Sequence, residues 1–236
     1  MRYPKIDFKK IDQFKEITND DEAFSLIREE LSLIMSKLEK ETEPVIETQL
    51  KNYIIIRLVT LLEVFFQNQV VNLIDNYKIK HSDLFVNDEI SISISSLDKL
   101  QNASKGKIIA TSLSFHSSSD IDFAFSKLLN VEFLTQIKKF NVNEEIPNPF
   151  AQNWDKFFEI YHERHKTVHS IYLCKKYSKK QIRQIIDAAE WLTVLSNIVI
   201  MGKILETMEL SFKNIQPKLY RWLTANFFRK PKKKSN

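Results

Sequence analysis

Glycine is almost missing from this chain, with only Gly106 and Gly202 among 236 residues. Strand-rich folds use glycine at tight turns and bulges, so this scarcity favours helices. It also excludes a glycine-rich loop that cradles nucleotide phosphates, and with it Rossmann and P-loop chemistry. We therefore predict an all-α protein.

Cysteine is equally scarce, since Cys174 is the single thiol. An intramolecular disulfide and a cysteine-based zinc site are both excluded. The N-terminal residues MRYPKIDFKKIDQF lack the apolar core of a secretion signal. These features suit a reducing compartment, and we expect a cytoplasmic location.

Long uninterrupted apolar runs are missing as well. The two most apolar segments, YIIIRLVTLLEVFF and WLTVLSNIVIMGKIL, are interrupted by Arg57, Glu63 and Lys203. Neither reaches the run of about 18 apolar residues that is typical of a membrane-spanning helix. We predict that both are buried core helices and expect no stable membrane insertion.

Apolar residues recur with helical spacing in four segments of the chain. They predict long helices over about 20–40, 47–76, 149–174 and 178–208. The centre of the second segment is apolar on every side, which is typical of a helix packed by several others. Ser178 is the expected N-cap of the fourth helix.

Residues 78–147 differ from these segments, because they are rich in Ser, Asn and Asp and carry only short apolar clusters. The run EISISIS has the period of a strand but no obvious partner. SSSDIDF resembles a capped helix start. We predict a helical insertion between the second and third core helices, within one domain over residues 1–208.

The last residues, 209–236, form a separate feature that we interpret as a short amphipathic helix and a basic tail. The chain carries a net charge of +5, and much of this excess lies in the tail, beside Trp222, Phe227 and Phe228. Three interpretations stay open: a solvated tail, RNA binding through phosphates and base stacking, or contact with an anionic membrane surface. The candidate RNA-binding residues here are Arg229, Lys230, Lys232, Lys233 and Lys234.

The segment YHERHKTVHS, residues 161–170, concentrates three of the five histidines. On a helix, His165 and His169 share a face, whereas Arg164 points roughly 140° away from His169. The histidines are either solvated side chains, an i, i+4 metal-binding pair, or part of a catalytic site with Arg164. An imidazole can transfer protons near neutral pH and a guanidinium can bind a phosphate, which metal-free RNA cleavage requires.

Residues 164–169, RHKTVH, resemble the R-x4-H motif of HEPN (higher eukaryotes and prokaryotes nucleotide-binding) domains. The polar His165 after the arginine and the apolar Val168 before the final histidine both fit this motif. The preceding apolar helix with Glu63 resembles the helix that often carries an inward acidic residue in this family. The resemblance covers roughly residues 20–76 and 149–208, and the long segment between them departs from it.

This resemblance implies an up-and-down helical bundle that cleaves RNA without a cofactor or metal. It implies that His169 is a general base or acid, that Arg164 binds the scissile phosphate, and that His165 assists. Glu63 would orient the arginine or histidine, although a salt bridge to Arg57 or Lys203 is an equal alternative. Lys166 is a further candidate RNA-binding residue, and His162 is interpreted as a bystander.

Members of this family commonly form homodimers with the site at the interface, and many are toxins or antiviral-defence effectors. The resemblance therefore also implies an RNA substrate, a second copy of the chain and an antitoxin or other regulatory partner. Two other functions stay open. One is a non-catalytic HEPN module that binds RNA, a nucleotide or a partner protein, and the other is a helical interaction or membrane-surface protein that acts through its tail.

Overall fold

The computed structural model describes residues 20–77, 79, 103–140, 154–169 and 177–207. Within these ranges every regular element is an α-helix, so the predicted all-α class is confirmed. We number the helices in chain order: α1 Asp20–Lys40, α2 Pro44–Asp75, α3 Lys105–Ser112, α4 Ser118–Leu129, α5 Phe133–Lys139, α6 Trp154–His169 and α7 Lys179–Thr207.

Helix α2 occupies the centre of the fold and packs against α1, α3, α6 and α7. It begins at Pro44, where a missing backbone N–H costs nothing because the first turn has no intrahelical acceptor for it. Its buried side chains occur on all sides, among them Ile54, Leu58, Phe66 and Leu73. The prediction of a central helix packed by several others is therefore confirmed, and it begins three residues earlier than we expected.

Helices α1 and α7 follow the stripes predicted from their apolar spacing. Among the α1 side chains that the structure describes, from residue 29 onward, Leu31, Met35 and Leu38 are the buried apolar ones and belong to the core. In α7 the predicted N-cap is confirmed, because the hydroxyl of Ser178 accepts the backbone N–H of Gln181 at 3.3 Å. The side chain of Gln181 accepts the backbone N–H of Ser178 at 2.8 Å in return. This reciprocal pair is a capping box that defines where α7 begins.

Helices α3, α4 and α5 lie within the segment that we interpreted as a helical insertion. Serine side chains cap α3 and α4. Ser104 accepts a hydrogen bond from the backbone N–H of Lys107, and Ser117 accepts one from the backbone N–H of Asp120, which is the cap that the sequence predicted for α4. Helix α3 packs on α2, and α5 packs on both α4 and α7. The EISISIS run lies outside the described residues.

An aromatic cluster joins these short helices to the core. The ring of Phe66 on α2 lies 6.2 Å from that of Phe115 and 5.4 Å from that of Phe125. Phe125 in turn stacks on Phe133 at 4.7 Å. All four rings are buried. Because aromatic side chains bury large apolar areas, this cluster fixes α4, α5 and the residues before α4 against α2.

Gly106 lies in the first turn of α3, where the chain approaches the end of α2. Its backbone N–H donates to the carboxylate of Asp75 at 2.8 Å. A Cβ at this position would lie 2.8–2.9 Å from the three carboxyl-group atoms of Asp75, closer than side-chain atoms pack. One of the two glycines is therefore explained by a close contact between two helices.

A polar cluster joins α1 to α2 near the surface. Glu30 accepts a hydrogen bond from the hydroxyl of Tyr53 at 2.6 Å and another from Nε of Arg57 at 3.0 Å. The hydrogen bond from Tyr53 is the main reason why the pKa of Glu30 lies below its ordinary value. The hydrogen bond and the charge of Arg57 lower this pKa further. The cluster accounts for Arg57, one of the two charges that interrupt the apolar run of α2.

Two helices are long and apolar enough to cross a membrane by length and composition, α2 and residues 179–204 of α7. Buried core helices of soluble proteins satisfy the same criterion. In both helices 56% of the most apolar window is buried within the fold. The absence of membrane insertion stays a prediction.

Candidate functional site

A cleft of about 580 Å³ opens between α2, α6 and the residues that lead into α4. Carboxylate, imidazole, guanidinium and hydroxyl groups line it beside apolar side chains. Polar and charged groups from separate parts of the chain thus converge on one cleft, as they do in binding sites. The lining residues are Val59, Glu63, His116, Ser117, Ser118, Phe158, Tyr161, His162 and Arg164.

Glu63 is the acidic residue of the cleft and comes from the apolar centre of α2. Its side chain is only 14% exposed, so its charge needs compensation. The compensation comes from two sides: Oε1 lies 2.7 Å from Nδ1 of His116, and Oε2 lies 3.6 Å from Nη2 of Arg164. Of the two alternative partners that the sequence suggested, Arg57 contacts Glu30 instead.

Arg164 reaches the cleft from α6, where Phe157, Ile160 and Tyr161 form the buried face. It extends that face by one turn, which matches the predicted direction near the apolar stripe. Its side chain is 24% exposed. Among the described residues, no group forms a hydrogen bond with its buried Nε. A guanidinium has five N–H donors, so the exposed part of Arg164 keeps donors for an oxyanion beside its contact with Glu63, although the buried Nε is not one of them.

His116 is the residue of the cleft that sequence reasoning missed. It lies 53 positions from Glu63, within the predicted insertion, and its side chain is 55% exposed. No local spacing joins it to the R-x4-H segment. Its position directly before Ser117, the N-cap of α4, was a weak signal that its imidazole has a fixed place, because the chain beside an N-cap is held by the cap.

Tyr161 and His162 differ sharply in their surroundings. Tyr161 is buried, and within the described part of the chain its hydroxyl has no hydrogen-bond partner. Burial, and after it the nearby Glu63 charge, raises the pKa of Tyr161 above its ordinary value, so this residue stays a neutral phenol. His162 is exposed at the edge of the cleft. Its interpretation as a bystander stays a prediction.

The remaining residues of the predicted site fall in two groups. His165, Lys166 and His169 lie in the last part of α6, and their side chains are outside the described residues. The tail cations Arg229, Lys230, Lys232, Lys233 and Lys234 lie outside them entirely. Where side chains are described, no cluster of three or more His, Cys, Asp or Glu forms a metal-binding group. Thus Glu63 and Arg164 are the predicted catalytic residues that the structure brings together.

Comparison with protein-family models, with curated proteins and with solved structures finds no match to this chain. The HEPN resemblance therefore depends on the sequence motif and its helical setting.

Proposed function

We propose that this chain is a metal-independent endoribonuclease of HEPN type that acts as a toxin or antiviral-defence effector. The observation that carries this proposal is the contact between Glu63 and Arg164 at the wall of the cleft. A guanidinium that pairs with a mostly buried carboxylate is oriented, and its exposed part keeps donors for a phosphate. The first residue of the R-x4-H motif thus lies where an RNA phosphate could bind.

The proposed reaction is attack of a ribose 2′-oxygen on the adjacent phosphorus. The bond from phosphorus to the 5′-oxygen breaks, and the products are a 2′,3′-cyclic phosphate and a 5′-hydroxyl. Arg164 stabilises the charge that develops on the phosphoryl oxygens. His169 transfers a proton, His165 assists, and Glu63 orients Arg164. Lys166 and the basic tail contribute contacts to RNA phosphates.

The test is incubation of the purified protein with total RNA in excess EDTA, followed by analysis of the product ends. We expect cleavage by the wild type, and at least about 10²-fold less by Arg164→Ala, because a donor to the developing charge is lost. His169→Ala should also be inactive. Arg183→Ala is the matched control, since Arg183 is an exposed arginine on α7 that pairs with Glu39.

Each result has a definite meaning. Cleavage that produces cyclic-phosphate ends and requires Arg164 and His169 supports the proposal. Cleavage that survives both substitutions, or that stops in EDTA, contradicts it. If the wild type binds RNA without cutting it, the chain is a non-catalytic module instead. If deletion of residues 217–236 abolishes function and His169→Ala does not, the tail is the functional part.

The second copy of the chain is a separate part of the proposal. On an ideal helix Arg164 and His169 would point roughly 140° apart, and a dimer would allow each subunit to supply one of them to a shared phosphate. Mixing the inactive Arg164→Ala and His169→Ala proteins should then restore about a quarter of wild-type activity, because mixed dimers keep one intact site. A mixture that stays inactive, although the two variants exchange subunits, would contradict a shared site.

A further inference from the structure

We propose that His116 is the general base of this cleft and takes the proton from the attacking 2′-hydroxyl, with Glu63 as its positioning residue. This inference rests on the proposed ribonuclease function and adds a catalytic residue from outside the R-x4-H segment. The observation behind it is the contact of two basic groups with one carboxylate: His116 at Oε1 of Glu63 and Arg164 at Oε2.

The contact with Glu63 determines which nitrogen of His116 can accept a proton. The distance from Nδ1 to Oε1 is 2.7 Å, which is a short hydrogen bond. A carboxylate only accepts, so Nδ1 carries the hydrogen and Nε2 of the neutral ring carries the lone pair. A carboxylate that orients a catalytic imidazole works in the same way in the serine hydrolase triad.

The surrounding chain holds His116 at a fixed position although its side chain is exposed. Phe115, directly before it, is 1% exposed and packs against Phe66 and Phe125. Ser117, directly after it, caps α4. The backbone N–H of His116 donates to the hydroxyl of Ser114 at 3.4 Å. A base needs such preorganisation, because its efficiency depends on its geometry relative to the nucleophile.

With His116 as the base, each proton and electron pair of the cleavage step has a donor and an acceptor. Nε2 of His116 removes the 2′-hydroxyl proton while the 2′-oxygen forms its bond to phosphorus. The 5′-oxygen leaves with the electron pair of the broken bond and takes a proton from a second acid. The R-x4-H resemblance assigns the role of this acid to His169. Arg164, on the other side of Glu63, faces the phosphoryl oxygens that gain charge.

The test separates a base from an acid by changing the leaving group. A cleavage site mapped in total RNA is made as a short oligoribonucleotide, and a second version carries sulfur in place of the 5′-bridging oxygen. A thiolate leaves without protonation, so loss of an acid no longer slows its departure. We expect His116→Ala to lose about 10²-fold or more in rate on both substrates, as loss of a base requires.

Two further measurements exclude a structural effect. Added imidazole should restore part of the activity of His116→Ala, which a misfolded or displaced site would not allow. Arg183→Ala is again the matched control, because it removes an exposed basic side chain of α7 that does not line the cleft. It should cut both substrates at the wild-type rate. Glu63→Gln should slow cleavage, and imidazole should not restore it.

The outcomes distinguish this inference from the proposed function. Wild-type activity on both substrates by His116→Ala overturns the role of His116 and leaves the ribonuclease intact. A loss confined to the oxygen substrate makes His116 an acid and overturns its role as the base. A wild type that cuts no RNA, or an Arg164→Ala variant that cuts normally, overturns the proposed function itself.

Discussion

Phe115 gives the sharpest test of how the short helices are attached to the core. Its ring is 1% exposed and lies about 6 Å from the rings of Phe66 and Phe125. Phe115→Ala removes a fully buried ring and leaves a cavity, which costs about 3–5 kcal/mol of unfolding free energy. For a chain of this length such a loss corresponds to a decrease of roughly 6–20 °C in Tm.

The matched control for this experiment is Phe123→Ala. Phe123 lies on α4 near Phe125, but 52% of it is exposed and the ammonium of Lys127 lies 4.3 Å from its ring centroid. Its loss should cost no more than about 1 kcal/mol, because an exposed ring contributes little beyond this cation–π contact.

Both variants should be compared with the wild type by thermal and urea unfolding followed by circular dichroism. The reasoning predicts a large difference between two phenylalanines that lie eight positions apart. Equal changes in Tm for Phe115→Ala and Phe123→Ala would refute the assignment of the aromatic cluster to the core. A change in Phe115→Ala smaller than that in Phe123→Ala would refute it more strongly.

Three further predictions concern individual contacts. Gly106→Ala should lower the unfolding free energy by about 1–3 kcal/mol, because the new methyl group would push the Asp75 carboxylate away from the backbone N–H of residue 106. In an Asp75→Ala background the same substitution should cost less. Equal costs in both backgrounds would contradict the proposed clash. Glu30 has a lowered pKa in the fold, so it stabilises the fold above its unfolded pKa, and this stability is lost as pH falls through the folded pKa. Glu30→Gln should therefore lower the unfolding free energy at pH 7 but have little effect once the pH lies below the folded pKa of Glu30. A pH-independent difference would argue against the Tyr53 and Arg57 contacts as its source. Tyr161→Phe should leave stability unchanged or raise it by about 1 kcal/mol, because it removes a buried hydroxyl that has no partner among the described residues; a clear loss of stability would mean that this hydroxyl is hydrogen-bonded.

The long helices could be predicted from the sequence because their information is local. Apolar spacing identifies the buried faces of α1 and α7, and Ser178 and Ser117 give clear capping signals. The continuous apolar run of α2 predicts a helix packed on several sides. It also makes Glu63 conspicuous, since a lone carboxylate in such a run needs a partner.

The partners of Glu63 could not be predicted in the same way. The HEPN resemblance implied that Glu63 orients Arg164 or a histidine, but a salt bridge to Arg57 or Lys203 was an equal alternative. The contact with His116 depends on how Phe115 packs against α2, and no periodicity connects residues 53 positions apart. Tertiary packing decides both pairings, and the sequence pattern of each helix carries no information about it. The roles of Arg164, His165, His169 and Glu63 in catalysis stay predictions.

The aromatic cluster of Phe66, Phe115, Phe125 and Phe133 also determines how the chain can be shortened. A minimal protein made by joining α2 directly to α6 would preserve both long apolar helices and the whole R-x4-H segment. It would nevertheless uncover the ring of Phe66, which is fully buried in the intact fold, and would remove the imidazole next to Glu63. The segment between α2 and α6 is therefore required by the rest of the fold. Its deletion would expose an apolar surface on α2 and would leave the Glu63 carboxylate without one of its two basic partners.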